Sequence, residues 1–124
     1  MKKNNVEKLY ETMIIWDAGL PNDEVDGEIT KVKELIETNN GECLKIDKWG
    51  KRRLAYEIKM KREGVYVVID FKGSTAILSQ LFEHFKFDKN VIRHLTLEKT
   101  GQDSQITELK QIEFEEETVS DDNE

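Results

Sequence analysis

The chain of 124 residues has very little proline and cysteine, one residue of each, and no long apolar run. Because a single cysteine, Cys43, cannot form a disulfide within the chain, a disulfide-stabilised scaffold is excluded. No stretch approaches the roughly 18 to 20 consecutive apolar residues of a transmembrane helix, so we expect no membrane-spanning segment. The first five residues are basic but lack the apolar core of a secretory signal, which predicts a cytoplasmic protein.

Motifs of catalysis and cofactor binding are also missing. The seven glycines are scattered, and no two stand in the G-x-G spacing of a phosphate-binding loop. The two histidines, His84 and His94, have no set of cysteines or carboxylates at metal-ligand spacing, which favours packing or surface roles for both. We therefore expect a protein that is not an enzyme and has no cofactor, no metal and no small-molecule substrate.

Negative charge is concentrated at one end of the chain. The net charge is −7, yet residues 101–124 carry nine acids against Lys110 alone, which is −8. Residues 1–100 are thus nearly neutral, with 18 basic and 17 acidic side chains. Since the acidic end has too few large apolar residues to build a core, we predict a folded domain over 1–100 and a disordered tail over 101–124, with a weak helical tendency around 104–114.

The spacing of apolar residues predicts four strands and two helices. Residues 25, 29, 32 and 36 form one helical face, residues 77, 78, 81, 82 and 85 form another, and alternating patterns mark the strands. The predicted elements are a strand over 9–16, a helix after Pro21 with Asn22 or Asp23 bonding its first free amides, a left-handed stop at Asn39-Asn40-Gly41, a strand over 42–59 bent near Gly50, a turn over 61–64, a strand over 65–71, a helix capped by Ser74, and a strand over 91–97.

This order, βαββαβ, predicts an α+β protein of the ferredoxin-like class. With short connections and right-handed crossovers it forms a four-stranded antiparallel sheet with both helices on one face. The opposite face is expected to be uncovered and to offer an aliphatic surface, carrying Val67 or Ile69, to a protein partner.

A strongly basic block is the exception to the neutral charge of the domain. Residues 45–62 hold eight basic side chains against Asp47 and Glu57, a local charge of +6. Arginine binds phosphate bidentately, lysine adds point charges, and aromatic rings offer flat surfaces to a ribose or base. The candidate RNA-binding residues of this block are Lys48, Trp49, Lys51, Arg52, Arg53, Tyr56, Lys59, Lys61 and Arg62. The alternative is a solvated strand whose charges discourage edge-to-edge aggregation.

Five motifs give the chain a resemblance to a known family. They are Tyr10-Glu11, Asn39-Asn40-Gly41-Glu42, Trp49-Gly50-Lys51-Arg52-Arg53-Leu54-Ala55-Tyr56-x-Ile58, Arg62-Glu63-Gly64-x-Tyr66, and Asp88-x-Asn90-Val91-x-Arg93. In order and spacing the chain resembles the sixth protein of the bacterial small ribosomal subunit, although that family commonly has proline where Glu57 stands. The last motif adds Arg93 to the candidate RNA-binding residues.

The resemblance implies a ferredoxin-like fold and a structural, non-catalytic role on the ribosome. It implies binding to 16S rRNA in the central domain, or platform, of the small subunit, as a heterodimer with the eighteenth small-subunit protein. Two other classes of protein share this fold. A stand-alone ferredoxin-like regulatory or protein-interaction module would need a ligand pocket, and a small phosphatase resembling acylphosphatases would need an arginine in the loop over 17–21, which has none.

Overall fold

A computed structural model describes residues 7–99 of the chain. The expected disorder and helical tendency of the tail therefore lie outside the described residues. The elements are β1 (Lys8–Asp17), α1 (Asn22–Thr38), β2 (Glu42–Ile58), β3 (Lys61–Gly73), α2 (Ala76–Lys86) and β4 (Val91–Glu98). The predicted order βαββαβ is confirmed.

The four strands form one antiparallel sheet in the spatial order β2-β3-β1-β4. Side chains of alternate strand positions and of both helices share one core, which includes Ile14, Trp16, Val67, Ile69 and Phe71 from the sheet. Both helices thus lie on one face, and the ferredoxin-like prediction is confirmed. Within residues 7–99, neither helix is long and apolar enough to cross a membrane.

The first helix forms as its sequence pattern predicts. Its buried residues are Val25, Ile29, Val32 and Ile36. At the start, the Pro21 carbonyl accepts the N–H groups of Glu24 and Val25, both at 3.0 Å, and the Asp23 carboxylate accepts the Glu24 N–H at 3.1 Å. At the end, Asn40 has a φ of 69°, the left-handed conformation that asparagine tolerates.

The second helix departs from the prediction at two points. Ser74 does not cap it with its side chain: Thr75 holds the N-cap position without a side-chain bond, and the Ser74 carbonyl accepts the Ile77 N–H at 3.1 Å. Phe82 is 45% exposed rather than part of the core, because the buried face follows Ile77, Leu81 and Phe85. The ring of Phe82 instead lies 5.9 Å from that of His94.

The turn between β2 and β3 was predicted in the wrong place. Lys59 and Met60 both have positive φ, 52° and 64°, which is the pattern of a two-residue hairpin turn. Residues 61–64 belong to β3, where Gly64 pairs with Arg52. The sequence suggested a turn over 61–64 because of its glycine, but that glycine serves packing inside the strand.

The sheet face opposite the helices is not bare, so the expectation of an uncovered face is wrong. Residues Trp49, Leu54 and Ile58 from the far half of β2 pack on that face, where pairing of β2 with β3 is interrupted near Gly50 and again between Arg53 and Ile58. Gly50 has a φ of 83°, as a bulge requires. The second cluster on this face contains Met13, Ile15, Leu54, Tyr66, Val68 and Ile92, all at most 6% exposed.

Val67 and Ile69 lie on the face of the sheet that the helices cover. Both are fully buried in the core beneath the helices, because alternate residues of a strand point to opposite faces and Tyr66 and Val68 take the helix-free face. The expectation that one of them faces a partner is therefore wrong.

Candidate nucleic-acid interface

Most of the candidate RNA-binding residues lie on one hairpin, residues 49–64, which we call the arm. It consists of the far half of β2, the turn at Lys59-Met60 and the start of β3. One side of the arm carries Trp49, Leu54 and Ile58 onto the helix-free face of the sheet. The arm is therefore anchored by apolar contacts, and its charged side chains are held on a defined surface.

Two polar contacts fasten the arm at its sides. The guanidinium Nη1 of Arg93, on β4, donates to the hydroxyl oxygen of Tyr56 at 3.2 Å. Near the turn, Lys61 Nζ lies 3.0 Å from Asp17 Oδ2, at the end of β1. A hydrogen bond from the Gly19 backbone amide and the ammonium of Lys61 lower the pKa of Asp17, so this carboxylate stays charged at neutral pH.

Gly64 lets the arm approach the sheet closely. A methyl group at this position would collide with the Ile15 side chain and come within 3.2 Å of the Trp16 carbonyl oxygen. Glycine inside a strand marks such a close approach. The glycine of the Arg62-Glu63-Gly64 motif is therefore explained by the packing of β3 against β1.

The cations of the arm differ in their availability. Lys51, Arg52, Lys59 and Arg62 are exposed, whereas Arg53 is half-buried. Arg52 Nη1 also donates to the Lys51 carbonyl at 3.1 Å. Across residues 7–99, no ion pair involves Lys51, Lys59 or Arg62, so these three are the charges best placed for external phosphates.

The two aromatic candidates have different surroundings. Tyr56 is 57% exposed, and its ring can lie against a nucleotide while its hydroxyl is held by Arg93. Trp49 is half-buried against the helix-free cluster, so it anchors the arm more than it offers a stacking surface.

Lys48 is not brought together with the arm. It pairs in register with Val67, whose side chain faces the helices. Lys48 Nζ lies 2.7 Å from Asp26 Oδ1 on α1. Its charge is thus partly neutralised by a contact with α1 on the helix side of the sheet.

Sequence reasoning missed two supports of the arm, Asp17 and Gly64. A glycine within a strand pattern could have indicated close backbone approach at Gly64, but no sequence signal marks Asp17 as the partner of Lys61. It also missed a group outside the arm: the fold places two carboxylates, Glu28 and Asp88, beside His84.

Comparison with known proteins gives one consistent result. The family model described as ribosomal protein S6 matches residues 9–98. The small ribosomal subunit protein bS6 of Carboxydothermus hydrogenoformans is 41% identical over 88 residues, which is 71% of this chain and 92% of that protein. The bS6 protein of Prochlorococcus marinus is 34% identical over 122 residues, covering 90% of this chain and 71% of the relative.

A solved structure points to the same family as these sequence comparisons. The crystal structure of 30S ribosomal protein S6 from Thermotoga maritima superposes with a TM-score of 0.72 at 30% identity, covering 89% of this chain and 97% of that one. The similarity therefore extends over the whole described fold, including the arm.

Proposed function

This chain belongs to the ribosomal protein S6 family, and from that premise we propose that it binds 16S rRNA in the central domain of the small subunit through its basic arm. It is a protein of the small ribosomal subunit. We further propose that its role is structural and non-catalytic, that it acts on ribosomes in the cytoplasm, and that its protein partner is the eighteenth small-subunit protein.

The observation that supports RNA binding is the geometry of the arm. Lys51, Lys59 and Arg62 are exposed and make no ion pair among the described residues, and the backbone that carries them is fixed by apolar packing. Because this backbone is already ordered, it loses little further conformational entropy when the cations meet phosphates, which favours binding. Tyr56 adds an exposed ring beside them.

The charge of the domain limits how tightly it can bind alone. Residues 1–100 carry a net +1, and few phosphates are neutralised by a single arm. Non-specific binding of this kind has a Kd of roughly 10⁻⁴ to 10⁻⁶ M at physiological salt. A partner that brings further basic surface and fixes the orientation should therefore increase affinity, by a coupling free energy of about 1 to 3 kcal/mol.

We assign the partner to the helix-free face beside the arm. There Leu95 and Leu97 of β4 pack against the second cluster but stay partly exposed. They replace Val67 and Ile69 as the positions to test, since those two are buried beneath the helices.

The test is titration of a central-domain rRNA fragment with this chain, with the partner, and with both. We expect the pair to bind about 5- to 150-fold more tightly than either protein alone. Leu95→Glu should abolish that gain and leave the weak direct affinity unchanged. Leu44→Glu is the matched control, because Leu44 is an exposed leucine on the opposite edge strand, β2. Equal affinity with and without the partner would refute the cooperative mechanism.

A further inference from the structure

Three potential metal ligands lie close together on the helix side of the molecule. None of them belongs to the arm. Glu28 lies on α1, His84 on α2, and Asp88 in the turn between α2 and β4. One donor atom from each residue lies within 4.8 Å of the other two. The Asp88 carboxylate also accepts the Asn90 N–H at 2.9 Å, which fixes its position.

Two of these side chains have buried atoms without a hydrogen-bond partner. Among the described residues, neither Glu28 Oε1 nor His84 Nε2 finds a donor or acceptor, and the Glu28 side chain is only 12% exposed. The other Glu28 oxygen lies 3.9 Å from Lys31 Nζ, and the carboxyl group also hydrogen-bonds with the side chains of Asp88 and Asn90. Buried polar atoms are nearly always satisfied in folded proteins, so two unpartnered atoms within one cluster call for a partner such as an ion or a water.

The electrostatics of the group favour a bound cation. Two carboxylates this close repel each other when both are charged. A divalent cation between them would remove the repulsion and satisfy both orphaned atoms.

We propose that Glu28, His84 and Asp88 bind a divalent transition-metal ion, with Zn²⁺ the ion best suited to the set. One imidazole nitrogen and two carboxylate oxygens are ligands that zinc accepts, whereas Mg²⁺ and Ca²⁺ prefer oxygen alone. Ligand atoms of tetrahedral zinc lie about 3.4 Å apart when the bonds are near 2.1 Å. The donor atoms here lie within 4.8 Å of one another, so side-chain rotations that move them by roughly an ångström complete the site. Water fills the remaining position from the open cavity of about 640 Å³ that these residues line.

The ion would connect three separate elements. It would join α1 to the end of α2 and to the turn that leads into β4. Because the site exists only in the folded chain, zinc should raise the melting temperature, and the rise should grow with the logarithm of the ratio of free zinc to the Kd.

The experiment follows the two histidines of the full-length chain by long-range ¹H–¹⁵N NMR during addition of Zn²⁺. Because the chain contains only His84 and His94, each imidazole can be assigned from a single variant. We expect saturable perturbation of His84 at Nε2 and an unchanged His94, whose ring is packed against Phe85 at 4.9 Å between ring centres. Mg²⁺ at the same concentration should have no effect on either ring.

Variants separate this site from binding to the acidic residues 101–124. His84→Gln and Glu28→Gln should each weaken zinc affinity at least tenfold, measured by calorimetry, as expected when a ligand is lost. Glu83→Gln is the matched control, because Glu83 lines the same cavity but is not one of the three ligands. Thermal melting without metal checks that each variant folds. Unchanged zinc affinity in His84→Gln, perturbation of His94 in place of His84, or equal binding of Mg²⁺ would overturn the proposal.

Discussion

The sharpest prediction concerns the three exposed cations of the arm. Replacing Lys51, Lys59 and Arg62 together by alanine removes charges that make no ion pair among the described residues. No buried apolar group is lost, so the fold should be retained, within about 0.5 kcal/mol for each exposed substitution. Arg53 is left in place because it is half-buried and its loss would mix stability with binding.

The magnitude follows from counterion release. Each phosphate contact contributes about 0.7 to 0.9 to the slope of log affinity against log salt, so three lost contacts should reduce the slope by about 2 to 3. Between 50 and 200 mM salt this difference amounts to about 15- to 60-fold in affinity. The wild-type chain should therefore lose that much more affinity than the variant over the same range.

The assay is a salt series of rRNA binding for the chain together with the proposed partner protein, since we expect the pair to bind tightly enough to measure. The matched control replaces Lys33, Lys86 and Lys89, three exposed lysines of the helix side, and changes the net charge equally. We expect the control to keep a slope close to that of the wild type. If both variants flatten the slope equally, binding follows the total charge of the domain and not the arm.

Three further predictions test the fold. Gly64→Ala should destabilise the chain by about 1 to 3 kcal/mol through the clash with Ile15, whereas Gly27→Ala, in an open position of α1, should stabilise it by about 0.4 to 1 kcal/mol; urea unfolding measures both, and equal effects would contradict the packing argument. Truncation after residue 101 should shift the melting temperature by no more than about two degrees, because few apolar groups are removed; a shift near ten degrees would show docking of the tail. Burial, and then the charge of Lys59, lower the pKa of His94, so stability should fall as pH drops below the ordinary value near 6.5; an NMR titration midpoint above 6.5 would reverse that sign.

The helices and strands were predictable because each has a simple period. The face of α1, from Val25 to Ile36, repeats at helical spacing and is buried as predicted. Phe82 shows the limit of that reasoning. It lies at the margin of the apolar face of α2, and whether a marginal residue is covered depends on the neighbouring strand and not on its own helix.

The hairpin turn was missed for a different physical reason. Sequence rules look for glycine or asparagine where φ is positive, yet Lys59 and Met60 take that conformation here. The turn was instead predicted over 61–64 because of Gly64, although that glycine serves close contact with Ile15. A local signal could not distinguish these roles, because the contact joins residues that are far apart in sequence.

The basic residues of the candidate site could be named from the sequence but their arrangement could not, and their binding of RNA stays a prediction. Alternation along a strand predicts that Lys48 and Trp49 leave opposite faces. It does not say which face meets the helices, and so it could not assign Lys48 to Asp26. The coverage of the helix-free face was unpredictable for the same reason, since it depends on two interruptions in the pairing of β2.

The arm combines two properties that normally conflict, a high density of like charge and a fixed conformation. Exposed charges about 4 Å apart in water repel by only about 1 kcal/mol, and salt reduces this further. Burial of one leucine contributes about 1.5 to 3 kcal/mol, and Leu54 is 94% buried while Trp49 and Ile58 pack beside it. The apolar side of the arm therefore outweighs the repulsion on its charged side. It follows that the conformation of the arm is set without any ligand, and that its charges can be changed without releasing it from the sheet.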